Sequence, residues 1–251
     1  MTRLAGAAVL VTGGSEGIGL ETARLLVARG AKVTVLSRSA VKLAAARATL
    51  GDVTTVSADV TDPGALEGLG SFDVLVAAAG GAEPQHFLTA EHEALRRQMD
   101  LNYFGAVNAV RAVLPGMLAA GRGHVVLLSS AAALCGVFGY SGYGPAKAAL
   151  RNLAEVVAAE HPTILVAVAY PPDTRTPGFE RENRTKPRET AAVSAMVKPL
   201  SAQRVAEAIV RGIEQDRRTI TADAGTALLA RATTVVAPGV RVAMRRAVRR
   251  S

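Results

Sequence analysis

Cysteine is almost absent from this chain. Cys135 stands alone among 251 residues, so no intrachain disulfide can staple the fold, and a reducing, cytosolic setting is expected. Histidine is scarce too: His86, His92, His124 and His161 show no metal-ligand spacing, so no metal site is expected. There is no internal repeat and no linker, and long apolar runs are missing. The N-terminal run Leu4–Val11 ends in a glycine-rich turn rather than a small-residue cleavage site, and reads as a first strand. Residues Ala224–Val240 carry only Arg231 as a charge, but they include Gly225, Pro238 and Gly239 and are short for a membrane span.

What charge there is leans basic. A net charge of +8 and a pI near 10.2 would suit a nucleic-acid or anionic-membrane partner. Five of the arginines, however, are Arg241, Arg245, Arg246, Arg249 and Arg250. The excess describes the C-terminal tail, and no nucleic-acid partner is expected for the fold. We therefore divide the chain into one α/β domain, residues 1–223, and an apolar then arginine-rich tail, residues 224–251. The tail reads as a membrane-interfacial or subunit-packing segment; a final helix covering the core with a loose basic end is an equal alternative.

Taken in order, Ala7–Thr12 (AAVLVT) has the apolar, β-branched run of a buried parallel strand. The turn Thr12–Gly19 (TGGSEGIG) follows, and helical spacing begins at Gly17. Strand, glycine turn and helix N-terminus together make a phosphate cradle: small residues let backbone N–H groups reach a pyrophosphate, and the helix dipole favours the anion. After the second strand, Ala31–Leu36, an acidic residue able to hold an adenosine ribose is missing. Ser37 and Arg38 stand there instead. Arg38 is either a solvated surface charge or the partner of a 2′-phosphate, and the missing acid favours NADP over NAD.

A third strand, Val53–Ala58, leads to Asp59, placed to contact an adenine edge. A fourth, Phe72–Ala77, runs into Ala78-Ala79-Gly80, small enough to leave room for a cofactor. Residues Glu91–Ala120 read as one long helical stretch carrying Asn102, bent or frayed near Pro115-Gly116. The fifth strand, His124–Leu128, ends at Ser129-Ser130, where ligands of open α/β sheets gather. A helix over Tyr140–Glu160 carries Tyr143 and Lys147, four apart and so on one face. The sixth strand is Thr163–Ala169, a long charged and proline-rich loop covers Tyr170–Thr190, a helix covers Ser201–Glu214, and a last strand covers Arg218–Thr221. Strands alternating with helices predict a Rossmann-type doubly wound parallel sheet, a single domain with helices on both faces. The long loop is expected to be functional or disordered.

TGGSEGIG, the small AAAG segment, Asn102, Ser130 and Tyr143-x-x-x-Lys147 stand in the order and spacing of the short-chain dehydrogenase/reductase family, and the resemblance covers roughly residues 5 to 225. The segment AYPPDTRTPGFERENRTKP, like YGPAKAALRNLAE, is similar to that of the family's 3-ketodihydrosphingosine reductase subgroup. Pro171-Pro172, where most of the family has Pro-Gly, is a trait of the same subgroup.

The resemblance implies that Tyr143 protonates a ketone oxygen as hydride arrives from NADPH, and that Ser130 hydrogen-bonds that oxygen. Lys147 would bind the nicotinamide ribose and lower the Tyr143 pKa, and Asn102 would hold a water linking Lys147 to solvent. Gly13, Ser15, Gly17, Ile18, Gly19 and Gly80 would line the cofactor site, with Arg38 at the 2′-phosphate, Asp59 at the adenine, and Thr174 and Thr176 at the carboxamide. It further implies a long-chain keto-lipid substrate, a homo-oligomer, and a cytoplasmic protein with peripheral membrane contact through its tail. Pro177-Gly178-Phe179 with Met196-Val197 is expected to form a lid over an apolar channel. Two alternatives stand beside this reading: a reductase of another lipophilic ketone or 3-oxoacyl thioester, and a non-catalytic NADP-binding regulatory protein.

Overall fold

Short β-branched runs separated by helices of apolar periodicity fold here as a wound parallel sheet. A computed structural model describes residues 1–250, the side chains at 234, 235, 237, 238, 241, 248 and 250 excepted. The first half runs β1 (Ala8–Thr12), α1 (Gly17–Ala28), β2 (Lys32–Ser37), α2 (Ala40–Leu50), β3 (Thr54–Ser57) and β4 (Val74–Ala77). The second runs α3 (His92–Met99), α4 (Gly105–Ala119), β5 (Gly123–Leu128), α5 (Tyr143–Glu160) and β6 (Ile164–Ala169). Then come β7 (Thr174–Arg175), α6 (Pro177–Asn183), α7 (Arg188–Ser194), β8 (Leu200–Ser201), α8 (Ala202–Glu214), β9 (Thr219–Ile220), α9 (Ala224–Arg231) and α10 (Thr233–Arg250).

The main sheet has the order β3-β2-β1-β4-β5-β6-β9, and every pairing in it is parallel. Alternate residues of each strand feed opposite cores. Val9, Val11, Val74, Val76 and Val126 pack with Leu26 of α1 and Ile209 and Ile213 of α8. Leu10, Leu75, Val125 and Leu127 pack with Val113 and Met117 of α4 and Leu150 and Val157 of α5. Burial on both faces explains why these strands are apolar throughout rather than alternating. Because β1 pairs with β2 on one side and β4 on the other, the winding reverses there. That reversal opens a crevice beyond the carboxyl ends of β1 and β4.

Three segments carry detail that the sequence left open. The stretch Glu91–Ala120 is helical from His92 to Ala119, but a π-helical turn at Asp100–Phe104 lies between α3 and α4, and α4 runs through Pro115 without a break. The loop Tyr170–Thr190 is ordered, with β7 pairing β8 and the helices α6 and α7 following. Thr176 caps α6 by accepting from the Phe179 N–H, and Pro177 fills its first turn. The tail forms α9 and α10, and α10 packs against both α9 and α7. Among the described residues no helix is long and apolar enough to cross a membrane.

His124 on β5 is 1% exposed, with Thr2 Oγ1 3.0 Å from its Nδ1. Burial holds it neutral and pulls its pKa from 6.5 to about 4, against the attraction of Asp216. The unfolded chain therefore binds this proton first as the pH falls. The stability it contributes is full above pH 6.5 and is lost as pH drops toward 4, in total about 3 kcal/mol. Denaturant midpoints measured at pH 7 and pH 4.5 should fall more steeply for the wild type than for His124→Leu; equal slopes would assign acid sensitivity elsewhere.

Candidate active site

The crevice is a cavity of about 640 Å³, within the range of small-molecule and cofactor sites. One end is built by the turn after β1. Gly13 has φ +67, and a Cβ there would stand 2.7 Å from the Ala79 backbone, so the loops after β1 and β4 meet too closely for any side chain. Gly17, with φ +59, opens α1 directly, and a Cβ there would stand 3.2 Å from the Thr176 side chain. Ser15 donates to Ser37 Oγ at 2.8 Å, tying the turn to the end of β2. Gly13, Ser15, Gly17, Ile18 and Gly19 all line the cavity, and the exposed N–H groups at the start of α1 suit a pyrophosphate.

Arg38 and Lys42 line the same end. Arg38 is 66% exposed, and its Nη1 lies 3.4 Å from Asp59 Oδ2. Asp59 itself spends its carboxylate on the Thr61 N–H (2.9 Å) and hydroxyl (2.8 Å). Ala58 and Val60 line the cavity where Asp59 does not. Asp59 thus stands beside Arg38, where it can serve as its counter-charge. Glu16 receives Lys42 at 2.7 Å and Arg181 of α6 at 3.3 Å, which links the α6 segment to the glycine turn.

The other end holds the reactive groups. Ser130, at the end of β5, accepts from the Ala132 N–H at 3.1 Å, which leaves its hydroxyl proton to be donated. Tyr143 is the first residue of α5, and Lys147 lies one turn on with its Nζ 5.8 Å from the phenol ring. Lys147 is 3% exposed and donates to the Leu128 carbonyl at 2.8 Å. Burial draws its pKa from 10.5 to about 7. Burial also pushes the Tyr143 phenol well above 10, with Ser130 pulling it down by a hydrogen bond and Glu182 and Asp173 pushing it up. Among the protein's own groups, then, desolvation outweighs the lowering expected from Lys147. The phenol is held protonated, as a proton donor must be.

Asn102 occupies the π-helical turn and is fully buried. Its amide donates to the carbonyls of Gly81 (2.8 Å) and Gln98 (2.9 Å), and its Oδ1 accepts from the Gly81 N–H at 3.1 Å. Gln98 lies four residues earlier, so the side chain takes the carbonyl that the π-turn's longer backbone bonds leave over. Both amide donors are spent on backbone. These bonds tie Gly81 and the loop after β4 to the π-turn beside Lys147. A Cβ at Gly80 would meet Asn102 Oδ1 at 2.6 Å and Lys147 Nζ at 2.9 Å, which explains the glycine.

Thr174 donates to the Pro172 carbonyl at 2.7 Å, and both Thr174 and Thr176 line the cavity with Phe179. Met196 and Val197 do not: they lie exposed beyond α7, so of the expected lid only Gly178 and Phe179 border the cavity. Tyr140 and Glu182 are among the lining residues that the sequence did not single out. They are 42 residues apart and are joined by a hydrogen bond from the Tyr140 hydroxyl to Glu182 Oε1, a pairing that no local pattern announces. The glycine cradle at one end and Ser130, Tyr143 and the buried Lys147 at the other fit a nicotinamide dinucleotide lying along the crevice.

Residues 7–187 match the family described as short chain dehydrogenase. The chain is 37% identical to a protein of Dictyostelium discoideum named 3-ketodihydrosphingosine reductase, over 95% of this chain and 80% of that one. A 3-ketodihydrosphingosine reductase of Bos taurus is 39% identical over 84% of this chain and 70% of its own length. Among solved structures, a short-chain dehydrogenase from Sphingobium yanoikuyae in complex with NADPH superposes with a TM-score of 0.79 at 25% identity, covering 94% of this chain and 95% of that one.

Proposed function

The chain belongs to the short-chain dehydrogenase family, and from that premise we propose that it reduces the ketone of 3-ketodihydrosphingosine to dihydrosphingosine with NADPH. The observation that carries the reading is a single cavity with Ser130, Tyr143 and Lys147 at one end and the glycine turn with Arg38 at the other. The relatives' names supply the substrate class.

When bound, the nicotinamide supplies the hydride. The chain's own groups handle position and protons. Ser130 and Tyr143 present hydroxyl donors to one oxygen, the atom whose negative charge grows as the ketone is reduced, where preorganised donors act most strongly. Tyr143 Oη gives up its proton to that oxygen. Lys147, drawn to about 7 by burial, releases a proton near neutrality and so restores the phenol. Asn102 positions the loop that backs Lys147.

Coenzyme choice rests on the end of β2. No acid stands there, and Arg38, steadied by Asp59, lines the cavity with Lys42 beside it. An exposed guanidinium matches a 2′-phosphate in geometry as well as charge.

The test is turnover by purified protein with 3-ketodihydrosphingosine and, separately, a 3-oxoacyl thioester, each with NADPH or NADH. We expect the sphingoid ketone to be reduced with at least about a ten-fold preference for NADPH, and Arg38→Ala to erase that preference. Turnover of the thioester alone would transfer the assignment to a thioester reductase.

A further inference from the structure

The fold of the 170–195 segment places a charged network against the reactive end of the cavity that ketone reduction by itself does not require. The Tyr140 hydroxyl donates to Glu182 Oε1, and Lys186 Nζ lies 2.9 Å from the same oxygen. Lys186 also donates to Ser194 Oγ at 3.0 Å, and Ser194 Oγ donates to Asp173 Oδ2 at 2.6 Å. The Lys186 side chain is 2% exposed and that of Glu182 13%. Asp173 and Glu182 line the cavity that Ser130 and Tyr143 line; Lys186 and Ser194 support them without lining it.

The network is unbalanced. Two carboxylates share one ammonium, so one negative charge is left over, and it faces the cavity. Glu182 Oε2 and Asp173 Oδ1 have no hydrogen-bond donor among the described residues. Uncompensated charge in a partly desolvated site is costly, and a site built for a purely apolar ketone would avoid it.

The position is equally specific. The Tyr140 ring meets the Tyr143 ring edge-on at 5.3 Å, so the acid held by one tyrosine stands next to the other's phenol. Both carboxylates lie close enough to push the Tyr143 phenol's pKa upward.

We propose that Asp173 and Glu182 bind the protonated amine of the substrate, which in a 3-keto sphingoid base sits on the carbon next to the ketone. This rests on the function proposed above and deepens it. The ammonium completes the charge balance of the network, so the amine fixes which carbonyl is presented to Ser130 and Tyr143. Its positive charge also offsets the two carboxylates' effect on the phenol and makes Tyr143 a stronger acid once the right substrate is in place. Ketones without the amine gain neither the ion pair nor that help.

The experiment compares kcat/KM for 3-ketodihydrosphingosine and for its analogue lacking the amine, with wild type, Asp173→Asn and Glu182→Gln, all with NADPH. We expect wild type to prefer the amino ketone about 100-fold, and each variant to lower that preference at least about ten-fold. We also expect the wild-type profile for the amino ketone, and not for the analogue, to fall as the substrate amine deprotonates. Equal losses on both substrates, or a wild type that does not discriminate, would overturn the amine site while leaving ketone reduction standing. No turnover of either ketone would overturn both. Asp173→Asn keeps an acceptor for Ser194, so it decides the matter even if Glu182→Gln unsettles α6.

Discussion

Tyr143→Phe should lower kcat about a thousand-fold while leaving coenzyme affinity nearly unchanged. The substitution removes only the hydroxyl. The ring keeps its edge-on contact with Tyr140 and its place at the start of α5, so the fold and the glycine end of the cavity have no reason to change. What disappears is the proton that must reach the ketone oxygen. Ser130 keeps its hydroxyl but lacks a route to replace its proton, whereas Tyr143 has Lys147 one turn away. Steady-state kinetics with a coenzyme-binding titration separate the two effects. Activity within ten-fold of wild type would remove Tyr143 from the proton-donor role.

The second large effect is expected at the opposite end of the crevice. Gly13→Ala puts a Cβ 2.7 Å from the Ala79 backbone and forces an alanine to φ +67. The left-handed backbone alone costs about 1–2 kcal/mol, and the neighbour is main chain, which cannot swing aside as a long side chain would. The loops after β1 and β4 must separate, which distorts the turn that receives the pyrophosphate. We expect a lower melting temperature together with at least about a hundred-fold weaker binding of NADPH. By contrast, Gly51→Ala, where nothing lies within 4 Å, should leave NADPH binding intact. Wild-type affinity in Gly13→Ala would mean that the coenzyme does not use this turn.

Much of this arrangement was legible before any coordinates, and the reason is local. The strands are short apolar runs ended by glycine or polar residues, so Val9 to Val11, Val74 to Val76 and Val125 to Leu128 declare themselves. The spacing of Tyr143 and Lys147 fixes their common face on α5 without any tertiary information. Features that depend on distant partners were not legible. Asn102 looks like any polar residue in a helix. Its amide reaches the Gly81 loop, 21 residues away, from a π-turn that no local pattern marks.

Pro115 suggested a break, yet α4 continues past it to Ala119 while the interruption falls earlier. The Tyr170–Thr190 segment read as irregular because charge and proline dominate it. Thr176-Pro177 is nonetheless a helix start signal, and it was available in the sequence. The contacts of Asp59 with Thr61 and Arg38 are tertiary detail that its position after the third strand does not show. Proximity along the chain also suggested that Lys147 would lower the Tyr143 pKa. Burial, which no sequence window shows, acts on both groups among the protein's own contributions.

The central claim is that hydride passes from NADPH to the ketone carbon of a sphingoid base inside this cavity. Incubating the protein with 3-ketodihydrosphingosine and NADPH deuterated at the nicotinamide C4, then analysing the lipid by mass spectrometry, tests it most directly. We expect dihydrosphingosine carrying deuterium on the new carbinol carbon when the label is on one face of the nicotinamide, and none when it is on the other. Product without label from either coenzyme, or no reduced lipid at all, would contradict it.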